Sequence, residues 1–220
     1  MRIAPTTANP AASPAVRAVA AQRTPASMSD IRASLSRAVQ AVTGRPASSR
    51  TVGVLAAQVS LETAGGSQMF NFNFGGIKGA SPAGTTANYM TREVLGGQSV
   101  HLQQGFRAYG SLDEGARDYV SFLRSRFAQA FGSAAVGDVG GFAHALKQSG
   151  YYTAPEQEYA AGLRSVAGAG VTASSDSSSV PVEAAPTEFG TTAELSRVID
   201  AVTATAARIA DPDPVEPKAG

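Results

Sequence analysis

The aromatic residues of this chain are confined to one segment, and this limits where a folded core can form. All six Tyr and eight of the nine Phe lie between residues 28 and 168, with Phe189 as the exception. A segment of about 140 residues is long enough for one hydrophobic core. Residues 1–27 and 169–190 are rich in Pro, Ala and Ser, with too little apolar surface to offset the entropy of ordering the chain. We therefore predict one domain at 28–168, a disordered tail at 1–27 and a Ser/Pro-rich acidic linker at 169–190.

The C-terminal segment contains one further pattern. Residues 191–210 place apolar side chains at helical spacing, at Leu195, Val198, Ile199, Val202 and Ile209. We predict an amphipathic helix here, followed by a disordered tail at 211–220. The pattern leaves two roles open, because such a helix can pack on its own domain or bind a partner.

Charge and composition exclude several classes of protein. The net charge of +1 divides into +3 for residues 1–26, +3 for 27–168 and −5 for 169–220. A central charge of +3 suits an anionic polymer but is too small to indicate nucleic-acid binding. The chain has no Cys, which excludes disulfides, thiolate metal sites and a cysteine nucleophile. We find no membrane-spanning run, and Arg17 interrupts the weakly apolar stretch that a signal peptide would need.

Hydrophobic periodicity predicts an α+β domain that is mostly α. A first helix begins near Ser29 and Asp30 and ends at Gly44, and a second runs to Thr63. Two extended arms around Gly96-Gly97 predict a β-hairpin. Further helices begin at the capping box that opens at Ser111, after Asp138 and at Gln157, the last one ending near Val166.

Glu62 is the ionisable residue at the end of the second predicted helix. That helix has no other ionisable residue in its last two turns, and Gly65-Gly66 follows as the stop signal. The negative end of the helix dipole and partial desolvation both raise the pKa of a carboxyl held there. We therefore predict a proton donor that works near neutral pH, as glycosidic-bond hydrolysis requires.

Glu93 is the candidate for a second carboxylate. It lies on the first arm of the predicted hairpin, and a hairpin acid that faces a helix acid across a groove gives the two-carboxylate arrangement of glycosidases. Spacing leaves an alternative, in which Glu93 is an outward-facing strand residue paired with Arg92 or Arg107.

Several motifs, in order along residues 30–166, resemble those of one family. They are Ala57–Ser67 (family pattern Ala-Gln-x-x-x-Glu-Thr-Gly-x-Gly), Asn73–Gly79 (Asn-Leu-Phe-Gly-Ile-Lys-Gly), Thr91–Gly97 (Thr-x-Glu-x-x-x-Gly), Gly105–Ser111 (Phe-Arg-x-Tyr-x-Ser), Asp118–Phe127, and Gly150–Pro155 (Gly-Tyr-Ala-Thr-Asp-Pro). The chain is similar to bacterial peptidoglycan N-acetylglucosaminidases, glycoside hydrolase family 73. That family includes autolysins and the muralytic domain of the flagellar rod-cap protein.

The resemblance implies a lysozyme-like domain with one small hairpin lobe. It also implies that Glu62 is the proton donor and Glu93 the second carboxylate. Two departures from the pattern concern sugar binding: no aromatic residue lies between the glycines after Glu62, and Ala154 replaces an Asp. Neither change removes a proton-transfer group.

The remaining candidates are residues that could bind the sugar. Donors for N-acetyl and hydroxyl groups could come from the glycine-rich loop, at Asn71, Asn73, Gly75 and Gly76. Aromatic rings could stack on pyranose faces, at Tyr109, Tyr151 and Tyr152. The alternatives are a loop shaped by its glycines and, for Tyr109, core packing. His101 and His144 lack acid partners at ligand spacing, so we predict no metal site and no cofactor.

The sequence therefore predicts a peptidoglycan hydrolase that cleaves the β-1,4 bond after N-acetylglucosamine. The alternatives are a lytic transglycosylase that uses Glu62 alone, or a non-hydrolytic glycan-binding module of an envelope-spanning structure such as the flagellum. The expected partners are glycan strands and, through the tails, flagellar or other envelope proteins, with neither nucleic acid nor a membrane span. We expect the protein in the periplasm, cell envelope or extracellular space, without a recognisable signal peptide.

Overall fold

The computed structural model describes residues 15–95, 98–152 and 154–172; for residues 91–95, 98–101 and 168–172 it describes the backbone alone. In this part of the chain six helices accompany a three-stranded sheet. In chain order the elements are β1 (Arg17–Val19), α1 (Met28–Thr43), α2 (Ser49–Glu62), β2 (Thr85–Leu95), β3 (Gln98–Arg107), α3 (Leu112–Arg126), α4 (Ala128–Val136), α5 (Val139–Gln148) and α6 (Glu156–Thr172). None of the described helices is long and apolar enough to cross a bilayer.

Short polar side chains fix where the helices begin. Ser48, Ser111 and Asp138 each accept a hydrogen bond from the backbone N–H three residues later, which satisfies a donor that the helix leaves free. Ser111 and Asp138 were predicted helix starts. The start of α1 differs, because Ser27 caps it by accepting from the N–H of Asp30.

The helices enclose one core. Helix α1 packs on α3, and α2 packs on α6. The largest fully buried side chains come from five helices and the loop between α2 and β2, and are Ile31, Leu35, Leu55, Gln58, Met69, Phe74, Tyr119, Leu123, Phe142, Leu146, Tyr159 and Leu163. Each buried Leu, Ile or Phe contributes roughly 1.5–3 kcal/mol relative to an exposed one. Helix α4, which the periodicity did not predict, packs on α5.

The predicted hairpin is confirmed. Strands β2 and β3 pair antiparallel, from Thr86 opposite Arg107 to Leu95 opposite Gln98. At the base of the hairpin, Tyr89 stacks on Phe106 with ring centroids 4.4 Å apart. Arg107, also at the base of the hairpin, forms a salt bridge with Asp118 of α3 at 3.0 Å, which attaches the sheet to the helical core.

The N-terminal boundary of the folded domain lies earlier than predicted. Residues 15–27 were assigned to the disordered tail, but β1 pairs in parallel with β2, and Arg23 forms an antiparallel bridge with Phe70. Hydrogen bonds to distant parts of the chain hold this segment, although its only apolar side chains besides Pro25 are those of Ala and Val. The C-terminal boundary also differs, because α6 continues to Thr172.

Other predictions concern residues outside the described part. These are the first half of the N-terminal tail, the linker beyond residue 172, the amphipathic helix at 191–210 and the tail at 211–220.

Candidate active site

Glu62 is the last residue of α2, as predicted. The preceding two turns bury Leu55, Val59 and Leu61 in the core, which fixes the position of the helix end. Thr63 closes the helix, because its N–H and its Oγ1 both donate to the carbonyl of Val59, at 3.0 and 2.5 Å. The backbone then turns sharply through left-handed conformations at residues 64–66. The carboxyl of Glu62 is thus held at a rigid helix terminus.

The carboxyl of Glu62 is desolvated and incompletely paired. Its Oε1 is buried and has no hydrogen-bond partner among the described residues, although the residue as a whole retains partial exposure. Burial raises the pKa of Glu62 to about 8, and hydrogen bonding from Tyr159 and Tyr151 lowers it by a smaller amount. A buried polar atom without a partner is rare in proteins, and a catalytic role is one of its recognised explanations. A pKa raised in this way favours the protonated form of Glu62 at neutral pH.

A chain of buried polar groups lies beside this carboxyl. The Oη of Tyr119 donates to Oε1 of Gln58 at 2.5 Å, and Nε2 of Gln58 donates to the Oη of Tyr159 at 3.3 Å. Gln58 donates to the oxygen of the Tyr159 hydroxyl, so the proton of that hydroxyl is available for a hydrogen bond to Glu62. Gln58 lies four residues before Glu62, so one face of α2 carries both.

Tyr151 completes the surroundings of Glu62. Its Oη donates to the carbonyl of Gly75 at 3.3 Å, and burial together with the charge of Glu62 raises the pKa of Tyr151, as it does for Tyr119 and Tyr159. All three hydroxyls therefore stay protonated. The single proton of Tyr151 has two acceptors, Gly75 and the Glu62 carboxylate.

Glu93 lies on β2, where its backbone pairs with Val100 near the end of the hairpin. The structure describes no side chains at residues 91–101. The arrangement of two carboxylates across a groove therefore stays a prediction.

The side-chain amides that were predicted to bind sugar have hydrogen-bond partners within the fold. Asn73 is buried, and its side chain donates to the carbonyls of Ile77 and Arg107 and accepts from the N–H of Ile77. Asn71 is also buried, and its side chain bonds to the backbone of Gln22 and Ala20. Both amides shape the loop in this structure, which was the alternative interpretation of this motif.

The glycines of this loop make room for the tyrosines. A Cβ on Gly75 would lie 3.2 Å from Oη of Tyr151 and 3.3 Å from the ring of Tyr119. Gly76 has φ of 58°, which favours glycine. Gly75 thus contributes to the site through its small size and its carbonyl.

The three predicted stacking tyrosines differ in exposure. Tyr151 and Tyr152 are 3% and 2% exposed, so neither ring face is open to a sugar. The reason is packing between α5 and α6, where Tyr152 stacks on Tyr159 at 3.9 Å. Tyr109 is half-buried, and its Oη donates to Asp118 at 2.5 Å.

The structure adds three residues to the site that we did not predict as site residues. Gln58, Tyr119 and Tyr159 are polar groups in the middle of an apolar core. For Gln58 a signal was present, since a glutamine one turn before Glu62 in a buried helix needs a polar partner. Nothing in the sequence indicated which tyrosines would supply it.

Comparison with known families decides the class of this site. The family model for glucosaminidase, described as mannosyl-glycoprotein endo-β-N-acetylglucosaminidase, matches residues 47–169, more than half of the chain. The chain belongs to the glucosaminidase family. The match covers the α2 terminus with Glu62, the hairpin with Glu93 and most of α6, and it places the chain among glycoside hydrolases.

Individual relatives agree with this assignment. The peptidoglycan hydrolase FlgJ of Pseudomonas aeruginosa is 36% identical over 112 residues, which cover 46% of this chain and 28% of that protein. The crystal structure of a peptidoglycan hydrolase mutant from Sphingomonas sp. A1 is 30% identical, with a TM-score of 0.50 over 64% of this chain and 90% of that one.

A second solved structure supports the fold. The catalytic domain of the autolysin Auto from Listeria monocytogenes is 22% identical, with a TM-score of 0.50 over 67% of this chain and 86% of that one. The predicted lysozyme-like α+β fold, mostly α with a small hairpin lobe, is confirmed.

Proposed function

We propose that this protein is a peptidoglycan hydrolase that cleaves the β-1,4 bond after N-acetylglucosamine, with Glu62 as the general acid. The observation that carries the proposal is the desolvated Glu62 carboxyl, whose pKa of about 8 keeps it protonated at neutral pH. The names of the Pseudomonas and Sphingomonas proteins, both peptidoglycan hydrolases, support the choice of polymer.

The reaction begins with proton transfer from Glu62 to the glycosidic oxygen. As the bond breaks, positive charge develops on the sugar ring in an oxocarbenium-like transition state. The resulting Glu62 carboxylate accepts hydrogen bonds from the hydroxyls of Tyr159 and Tyr151, which limit the cost of a negative charge in a buried position. The tyrosines thus support Glu62 after it has released its proton.

Glu93 is proposed as the second carboxylate. It would activate the attacking water or stabilise the positive charge, or it would orient the N-acetyl group of the substrate if that group attacks. The separation of the two carboxyls distinguishes inverting from retaining geometry, and in the substrate-assisted form Glu93 only orients the attacking N-acetyl group.

Digestion of purified sacculi tests the proposal. We expect the wild-type protein to release fragments with reducing N-acetylglucosamine ends, identified by mass spectrometry. Ends with a 1,6-anhydro sugar would instead indicate a lytic transglycosylase. Binding to sacculi without new reducing ends would indicate a glycan-binding module.

The Tyr159 hydroxyl is expected to set the alkaline limit of activity. In Tyr159→Phe the hydroxyl that lowers the pKa of Glu62 is absent, so that pKa should rise above its wild-type value of about 8. Because the protonated acid is the active form, the alkaline limb of kcat/KM should move to higher pH.

The pH profile of kcat/KM for Tyr159→Phe checks this, with Tyr152→Phe as the matched control. The hydroxyl of Tyr152 donates to the carbonyl of Ala143 at 3.0 Å and does not act on Glu62. An alkaline limb that moves to lower pH in Tyr159→Phe, or equally in both variants, would contradict the assignment.

Location and partners follow from the proposed substrate. Peptidoglycan lies in the cell envelope, so we propose the periplasm, envelope or extracellular space as the place of action. Interaction with flagellar or other envelope proteins is proposed for the terminal segments, 1–14 and 173–220.

A further inference from the structure

Residues 15–27, which we call the strap, lie across the loop that follows Glu62. They precede the glucosaminidase match, which begins at residue 47. Three backbone hydrogen bonds lie along the contact. The N–H of Ala26 donates to the carbonyl of Gly66 at 3.2 Å, and that of Thr24 donates to the carbonyl of Met69 at 2.9 Å. In the other direction, the N–H of Asn71 donates to the carbonyl of Gln22 at 2.9 Å. The strap thus adds an extended, antiparallel partner to a loop without regular structure of its own.

The other end of the strap is bound to the hairpin. Strand β1 pairs with the first residues of β2, and the N–H of Arg17 donates to the carbonyl of Gly84 at 2.7 Å. The side chain of Arg23 donates through Nη2 to the carbonyl of Ser67 at 2.8 Å. One segment therefore connects the loop after the proton donor with the base of the strand that carries Glu93.

The strap holds two strained residues. Asn71 and Phe72 have φ of 46° and 53°, in the left-handed region that side chains other than glycine rarely adopt. The side chain of Asn71 accepts from the N–H of Gln22 at 3.0 Å and donates to the carbonyl of Ala20 at 3.0 Å. The N–H of Phe72 donates to Oγ1 of Thr24 at 2.8 Å. Such a conformation persists where surrounding contacts enforce it, and here the strap provides them.

Asn71 and Phe72 are also linked to Glu62, through Gly75 and Tyr151. Gly75 follows Phe72 by three positions, and its carbonyl accepts from Oη of Tyr151. On the opposite side the loop is fixed by α3, because a Cβ on Gly115 would lie only 1.9 Å from the carbonyl oxygen of Phe72. The loop has no room to shift toward α3, so loss of the strap contact would move Phe72, and with it Gly75, away from α3.

We propose that the strap is a positioning element for the proton donor, with Thr24 as the positioning residue. It holds the loop so that the Gly75 carbonyl shares the Tyr151 proton with the Glu62 carboxylate, and Tyr151 therefore stabilises the ionised form of Glu62 less than it otherwise would. The groups that face Glu62 in the described part are Tyr119 from α3, Tyr151 from the loop between α5 and α6, and Tyr159 from α6. This inference rests on the proposed function in assigning proton donation to Glu62.

The test is Thr24→Val in the full chain. Valine has the same shape, keeps the backbone bond to Met69 and lacks the oxygen that accepts from Phe72. We expect kcat on sacculi to fall roughly tenfold, with KM changed less than about twofold. When Gly75 no longer takes the Tyr151 proton, that proton turns to the Glu62 carboxylate and stabilises its ionised form. The alkaline limb of the pH profile of kcat/KM should therefore move to lower pH.

Three further variants make the result specific. Thr24→Ser restores the oxygen and should restore kcat and the wild-type pH limb. Val16→Thr, at a strap residue that is 66% exposed, should behave as wild type. Arg23→Ala, a surface change that removes the bond to Ser67, should shift kcat and the limb in the same direction as Thr24→Val by a smaller amount.

A readout without substrate separates this inference from the proposed function. We would follow the Glu62 carboxyl by ¹³C NMR and compare its titration midpoint in wild type and Thr24→Val. A lower midpoint in Thr24→Val supports the strap's role, even if sacculi are not the substrate. An unchanged midpoint, or a changed midpoint that Thr24→Ser does not restore, would overturn it.

Discussion

Replacing Glu62 by Gln is expected to lower the rate of glycan cleavage about a hundred- to ten-thousandfold, the usual contribution of a general acid. Glutamine fills the same space but has no proton to transfer at neutral pH. The measurement is the release of reducing ends from sacculi, with circular dichroism to show that the fold is retained. Glu158→Gln, an exposed acid on α6, is the matched control and should retain wild-type activity.

The same variant has a second expected effect, on stability. The pKa of Glu62 is about 8 in the folded protein and near 4.5 in the unfolded chain. Between those values the folded state binds more protons, so the free energy of unfolding decreases as pH rises, by up to about 1.4 kcal/mol per pH unit. Glu62→Gln lacks this contribution and should be more stable than wild type near pH 8. Full activity of the variant, or an unchanged pH slope in urea denaturation, would contradict the assignment.

Replacing Glu93 by Gln is expected to lower turnover about a hundredfold or more, because its carboxylate would activate water or stabilise positive charge. The fold should be retained, since Glu93 lies near the end of the hairpin rather than in the helical core. Initial rates of reducing-end release measure this effect, again with Glu158→Gln as control.

Rescue by azide distinguishes a direct role for Glu93 from an indirect one. If Glu93 activates water, Glu93→Ala should regain turnover when azide is added, with formation of a glycosyl azide, because a small anion can attack without a base. If the N-acetyl group of the substrate attacks, azide should restore little. Wild-type turnover of Glu93→Gln would remove Glu93 from the mechanism.

The elements that position Glu62 were predictable because their signals are local. The apolar face of α2 and the glycines after Thr63 place Glu62 at a helix end, and alternation around residues 96–97 predicts the hairpin. Helix caps at Ser111 and Asp138 follow from the residue type at one position. Each of these features depends on neighbours within a few residues.

The strap was not predictable in the same way. Residues 15–27 have no apolar periodicity, and what holds them is hydrogen bonding to residues 66–72 and 84–87, which are at least 40 positions away. The left-handed turn at Asn71 and Phe72 depends on the same contacts. The composition of a segment indicates how much apolar surface it can bury by itself. It does not indicate which hydrogen-bond partners another segment will provide.

The tyrosines show a related limit. Sequence identifies aromatic residues near a glycan-binding motif, but burial determines whether a ring is a stacking surface or a core residue. Tyr152 is enclosed between α5 and α6, and Tyr151 contributes its hydroxyl instead of its ring face. The side-chain amides of Asn71 and Asn73 were likewise candidates for sugar binding. In the structure they form hydrogen bonds with backbone carbonyls.

A proton held by Glu62 at neutral pH is the central requirement of the proposed function, and direct titration of that carboxyl tests it. Protein labelled with ¹³C at the glutamate carboxyls would be followed by NMR from pH 3 to pH 10, with Glu62→Gln used to assign the resonance. We predict a midpoint of about 8. A midpoint near the ordinary value of 4.5 would show an ionised carboxylate at neutral pH and would contradict a proton donor at this position.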